Sequence, residues 1–251
     1  MAEINIIPLR VCNEVRPGDK IDSMIADSLL QSRQALADGD IVIVTQKIVS
    51  KAEGRIVELE KVKPSRKAVR MANDHGKDPR IVEVILRESK KVLRASGGVI
   101  VVETRHGFVC ANAGVDQSNI GGDDLALLLP LDPDKSAATI KNTLESRTGK
   151  KVAVIITDTF GRPFRNGQVN VAIGVAGISP IKSYVGTADM HGKKLRVTEI
   201  AIADELASAA ELVMGKIDSV PVAIIRGYKF KYVRKCSAIE LVRPEQKDLF
   251  R

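Results

Sequence analysis

The chain contains no tryptophan, and aromatic residues make up only 3% of it, so the stacking platforms on which many nucleic-acid binders lay their bases are scarce. Cysteine is equally sparse: Cys12, Cys110 and Cys236 are odd in number and far apart. That spacing fits neither a disulfide framework nor a paired zinc motif, and the three are expected as free, partly buried thiols. His75, His106 and His191 are isolated, without metal-ligand spacing, and read as capping or surface residues. Long apolar runs are missing too. Those present, such as Ile41 to Val44, are strand-sized, far short of the roughly 20 residues that cross a bilayer, so no membrane partner is expected. The opening MAEINIIPLR lacks the basic start, apolar stretch and cleavage site of a signal peptide, which makes a cytoplasmic location the expectation. Neither the glycine-rich phosphate loop ending in Gly-Lys-Ser/Thr nor the dinucleotide fingerprint GxGxxG occurs, so any nucleotide must sit in a less familiar cradle.

What is present is ample apolar material, 44% of 251 residues, beside 28% charged residues. At roughly 100 to 200 residues per domain this allows one large or two small domains. Lys and Arg exceed Asp and Glu by 39 to 31, a net charge of +8 that attracts phosphate-bearing ligands over long range. The basic residues are scattered, so nucleic acid is not an expected partner.

Strand-like runs alternate with helical patterns, with no low-complexity linker or internal repeat between them, which argues for one continuous unit of mixed α and β structure. Strands are expected at Ile4 to Leu9, Asp40 to Thr45, Gly98 to Glu103, Phe108 to Asn112, Lys151 to Thr157 and Ser219 to Arg226, with a brief apolar stretch at Leu125 to Leu129. Helices are expected at Ile21 to Ala37, Ser65 to Asp74, Pro79 to Ala95 and Asp134 to Arg147, and as a short terminal helix at Pro244 to Phe250. Asp132 and Asp134 read as helix-start residues. Between Val197 and Met214 the apolar Ile200, Ala203, Leu206, Ala210 and Val213 recur at helical spacing, an amphipathic helix ending at Gly215.

Three segments carry chemistry. In Ile155 to Gln168 a buried strand delivers Asp158 and Thr159 into what reads as an irregular loop. Their oxygens suit magnesium or manganese, and Arg162 and Arg165 can neutralise phosphate or carboxylate. The competing reading is a loop whose Asp caps backbone amides and whose arginines pair with surface acids. Asp116, in Asn112 to Asn119, also follows a strand and can complete a metal site with Asp158, or else form an Asx turn. In Ile48 to Arg55, Lys51 can meet a nucleotide phosphate as a flexible point charge, or be an ordinary surface lysine.

Taken together, NAGVDQSN, ITDTFGRPFR, SKAEGR, the Met-Gly that ends the long helix and PVAIIRG resemble, in order and spacing, the coenzyme F420 gamma-glutamyl ligases, or F420-0:L-glutamate ligases, across nearly the whole chain. The resemblance implies a single domain over residues 1–251, α+β and non-Rossmann, folded in two lobes and paired as an intertwined homodimer. It implies GTP as donor, manganese or magnesium as cofactor, and F420-0 and L-glutamate as the other substrates. Metal ligands carry over onto Asp116, Asp158 and Thr159, and nucleotide contacts onto Lys51, Asn119, Met214 and Gly215. The implied reaction phosphorylates the lactyl carboxylate of F420-0, and the glutamate amine then displaces phosphate; later rounds add gamma-linked residues. Phosphoryl transfer needs mainly alignment and charge neutralisation, so no covalent protein nucleophile is required.

Three departures from the family pattern cluster around the expected nucleotide: Cys12-Asn13-Glu14-Val15 replaces Leu-Pro-Leu-Ile, Gln46-Lys47 replaces a Ser-Thr pair, and Lys216 stands where an acidic or amide residue is usual. An ammonium cannot ligate a cation, so the second metal position is either completed by other groups or filled by the lysine's own charge. These departures bear on donor nucleotide and metal count. The alternatives are a related amide-forming ligase with another acceptor or donor, a metal-dependent nucleotide phosphohydrolase, and a non-catalytic nucleotide-binding or basic interaction protein.

Overall fold

The computed structural model describes residues 3–11, 13–118, 121–122 and 124–249. In chain order its strands are β1 (Asn5–Leu9), β2 (Ile41–Thr45), β3 (Ile56–Glu58), β4 (Ser89–Ser96), β5 (Val99–Thr104), β6 (Val109–Ala111), β7 (Leu125–Leu127), β8 (Ala153–Arg162), β9 (Arg165–Ala176), β10 (Lys182–Ser183), β11 (Glu199–Ile200) and β12 (Val222–Arg226). The helices are α1 (Ile21–Gln31), α2 (Gln46–Ala52), α3 (Arg66–His75), α4 (Pro79–Arg87), α5 (Pro133–Thr148) and α6 (Ile202–Met214). The class is mixed α and β, as expected. Among the described residues no helix is long and apolar enough to cross a membrane.

The apolar runs Ile41–Val44 and Ala153–Ile156 are buried on both faces because they lie side by side inside the main sheet, in the order β1-β12-β2-β8-β9. Only β2 and β8 are parallel; every other pair in this sheet is antiparallel. Helix α5 packs on β8 and β9 and carries α1 against it, while α6 lies on β9, β12 and β1. The buried carboxylate of Asp40, at the entrance to β2, is held by Arg226 at the end of β12, with Oδ2 2.6 Å from the guanidinium.

A parallel pair needs a crossover, and the chain between β2 and β8 supplies far more than one helix. Within it, β4, β5 and β6 form one small sheet, β3 and β7 pair separately, and α3 and α4 pack together. Leu59, Ala72, Ile85, Ile100, Val102 and Leu128 bury themselves there in a cluster distinct from the core of the main sheet.

Four expectations need correction. The helix begun at Pro79 stops at Arg87, where Ser89 Oγ bonds back to the Ile85 carbonyl, and residues through Ser96 pair with β5 as a strand instead. Charged residues such as Lys90 and Lys91 are compatible with either state, so pairing with β5 decides. Helix α1 ends at Gln31, since Arg33 takes a left-handed conformation (φ 54°) and the chain turns away. Near the C-terminus only a single helical turn, Glu245–Lys247, forms; Phe250 lies outside the described residues. Finally, residues 158–168 are not an irregular loop: β8 runs to Arg162, turns, and returns as β9 from Arg165. Helix α2, capped by Thr45 accepting from the Lys47 amide, is an element the sequence reading did not contain.

Candidate active site

The parallel pairing of Thr45 with Thr157 sets the carboxyl end of β2 beside the middle of β8. From this edge the first turn of α2 presents Lys47, and β8 continues into Asp158 and Thr159. Asp116 arrives from the second core, fixed by two backbone hydrogen bonds with Leu127 at 3.0 and 2.8 Å. Just before it, Asn112 and Ala113 both adopt left-handed conformations (φ 53° and 57°), and Asn112 Oδ1 accepts from the Ile100 amide.

Asp116 meets Lys47 directly, with Nζ 2.7 Å from Oδ2. Its Oδ1 accepts from the amide and hydroxyl of Ser118, both at 2.7 Å, so the Asx turn forms as well. Burial pushes this carboxyl up, but the hydrogen bonds from Lys47 and Ser118 together outweigh it and hold the group below its ordinary value. Asp158 is different. It is half-buried, and desolvation raises it to about 6; its own Thr159 amide works against the rise, the Asp116 charge adds to it, and Lys47 and Lys216 oppose it. One site therefore holds one firmly ionised carboxylate and one that a cation or proton can claim.

Thr159 pairs across the hairpin with Asn170 and donates its hydroxyl to Asn170 Oδ1 at 2.9 Å. Lys216, just beyond α6, places Nζ 2.8 Å from Thr159 Oγ1, 2.8 Å from Glu211 Oε1 and 3.3 Å from Asn170 Oδ1. Asn170 Nδ2 completes the ring of contacts by donating to Glu211 Oε2 at 2.7 Å. The turn into Lys216 uses Gly215 at φ 59° and ψ −169°, a region essentially restricted to glycine, and a Cβ there would stand 2.5 Å from Asp218 Oδ2.

The remaining expected site residues are placed unevenly. Lys51 lies one turn beyond Lys47 on the same side of α2, half-buried and without a side-chain polar partner among the described residues. Met214 is 2% exposed and packs into the main core, so its backbone is what it can offer a ligand. Arg162 closes the hairpin turn by bonding the Asn166 carbonyl at 2.6 Å, and Arg165 is exposed at the tip. Asn119 and Cys12 lie outside the described residues. Asn170 and Glu211 were missed: Asn170 sits where the polar first half of β9 gives way to its buried half, with no local pattern to mark it, and Glu211 looks like any acid on a polar helix face.

Two buried polar atoms at this edge, Gln46 Nε2 and Thr157 Oγ1, have no hydrogen-bond partner among the described residues, as expected where a polar ligand docks. The oxygens of Asp116 and Asp158 fit a hard divalent cation. Lysines already meet two of the expected ligands, Lys47 on Asp116 and Lys216 on Thr159, so an ion there would have to displace an ammonium or use oxygen lone pairs the lysines leave open. Cys110, near Asp158, is pushed up to about 12 by burial, so it is no nucleophile; it and Cys236 are free thiols, as expected.

A hydroxyl, two carboxylates and two lysines gather beside the carboxyl end of β2, and among the described residues there no thiol is activated as a nucleophile. The family model for F420-0:Gamma-glutamyl ligase matches residues 10–227. The chain is 50% identical to the "Coenzyme F420:L-glutamate ligase" of Methanothermobacter thermautotrophicus over 99% of both chains. It is 45% identical to the protein of that name in Methanocaldococcus jannaschii over 89% of both, and 44% identical to that of Methanopyrus kandleri over 99% of this chain and 98% of that one. The chain is thus a ligase. It belongs to the F420-0:gamma-glutamyl ligase family.

Proposed function

We propose that this chain joins L-glutamate to the lactyl carboxylate of F420-0, spending GTP and passing through an acyl phosphate, and that further rounds add gamma-linked glutamates. The observation that supports the reading is that the carboxylates of Asp116 and Asp158 come close enough for the charge of one to act on the other, beside the carboxyl end of β2 and within the segment the family model covers. A carboxylate is a poor acyl donor because oxide would have to leave; phosphate leaves readily.

Asp116 and Asp158 would hold manganese or magnesium, which supplies positive charge to the oxygens of the phosphoryl group in transit. Binding a cation favours the ionised form of Asp158, which desolvation otherwise disfavours. Lys51, with the exposed Arg165 at the hairpin tip, can offset further negative charge on the nucleotide and acceptor. Gly215 and the backbone of Met214 lie beside Lys216, where the nucleotide is expected to pass. We further propose that the protein works as a homodimer in the cytoplasm.

The test is mass spectrometry of F420-0 incubated with the protein, L-glutamate, Mn2+ and either GTP or ATP. A gain of one or more glutamyl units with GTP supports the reading. Unchanged F420-0 with both donors, from folded protein that still binds nucleotide, refutes it in favour of another acceptor. Nucleotide hydrolysis without any acceptor would point to a phosphohydrolase.

A further inference from the structure

We propose that Lys216 is a built-in cation of this site: its ammonium fills a cradle formed by Glu211, Thr159 and Asn170 and keeps a divalent ion out of it. This rests on the ligase reading above for its purpose, but not for its geometry. An ammonium has three protons to donate, and this one faces three acceptor oxygens at 2.8, 2.8 and 3.3 Å. The acceptors are a carboxylate, a hydroxyl and an amide carbonyl, all hard oxygen donors of the kind that magnesium and manganese select.

The cradle is organised from below. Asn170 is buried at 4% exposure, and its amide nitrogen is spent on Glu211 while its oxygen accepts from Thr159, so both neighbours are oriented with lone pairs toward Nζ. Lys216 reaches it because the chain reverses at Gly215 in a conformation only glycine adopts readily. A lysine with 58% of its side chain exposed would ordinarily remain mobile in solvent. Here it is drawn onto three oxygens instead. The consequence is a fixed single positive charge beside Thr159, which leaves Asp158, and Asp116 on the side not taken by Lys47, as the carboxylates open to a divalent ion.

The competing explanation is an ordinary ion pair between Glu211 and Lys216 at the end of a helix, which would leave metal binding indifferent to the lysine. The two are separated by titrating purified protein with Mn2+ alone and reading the free ion by electron paramagnetic resonance. Lys216→Gln and Lys216→Met should each bind one more Mn2+ per chain than the wild type, whereas Lys216→Arg should not. Equal stoichiometry in wild type, Lys216→Gln and Lys216→Met overturns the proposal. A wild type that binds no Mn2+ while Lys216→Gln binds one would leave this inference standing and instead sink the assignment of a cation to Asp116 and Asp158.

Discussion

Asp158 shows how a single residue can be costly to the fold and useful to the chemistry. Its carboxyl sits at about 6 in the folded protein, above the roughly 3.9 of an unfolded chain. A raised acid binds its proton more tightly when folded, so the stability it contributes is full below roughly pH 4 and is lost as pH rises through about 6. Asp158→Asn keeps a group able to accept from the Thr159 amide but removes the charge. Calorimetry of the metal-free protein should therefore find Asp158→Asn melting higher than wild type at pH 7.5 and level with it near pH 4. Ligation by the same variant should fall by at least about 100-fold. A variant both unstable and inactive at pH 7.5 would contradict this account. That Asp116 and Asp158 can both follow strands into one site was open from residue types and flanking strands, with an Asx turn at Asp116 as the alternative, and the Asx turn forms. The lysines that face them were noticed only as departures from a family pattern, because nothing in a sequence says where an ammonium will come to rest.

At the scale of elements, caps were readable and strand extents were not. Asp132 caps α5 by accepting from the Lys135 amide, as a helix-start residue should, and Ser65 and Asp78 do the same for α3 and α4. Asp78 is held below the usual carboxylate range, first by the Arg80 side chain, with burial opposing and the Arg80 amide assisting. A lowered acid contributes stability above its unfolded value and loses it as pH falls through the folded one. Asp78→Ala should thus cost about 1 kcal/mol at pH 7 in urea titrations, with the gap to wild type closing as the solution is acidified below the ordinary carboxylate range. Gly174 makes a different demand: β9 passes so close to the start of α5 that a Cβ there would overlap the Pro133 carbonyl. Gly174→Ala should lose about 3 kcal/mol or express insolubly; a loss under about 0.5 kcal/mol would mean that α5 can shift without consequence. Neither β9 nor the strand character of Ser89–Ser96 was foreseen, since each depends on a partner strand that local pattern does not reveal.

For the whole molecule, the division of the apolar residues into two clusters is the feature with most consequence. One cluster carries Asp158 and the lysines, and the other delivers Asp116 through its pairing with Leu127. The site is therefore as rigid as the junction between them. Ile85, fully buried in the second cluster, tests this: Ile85→Ala should cost about 2–5 kcal/mol. Hydrogen exchange should then show lost protection in α3, α4 and β5, with β2 and β8 still protected, and activity reduced through Asp116. Uniform loss across both clusters would show that they unfold as one unit.

The sequence by itself determined the mixed α and β class, the strands of the main sheet other than β9, most helix starts, the free thiols at Cys110 and Cys236 and the residue types of the site. These follow from local periodicity, capping and side-chain chemistry, which act over a few residues. Only the tertiary structure decided that Thr45 and Thr157 lie side by side, that residues 158–168 form a hairpin, and that Lys216 reaches across to Thr159 and Asn170. Those outcomes depend on contacts between residues distant in the chain, and pairing of that kind is settled by packing and burial.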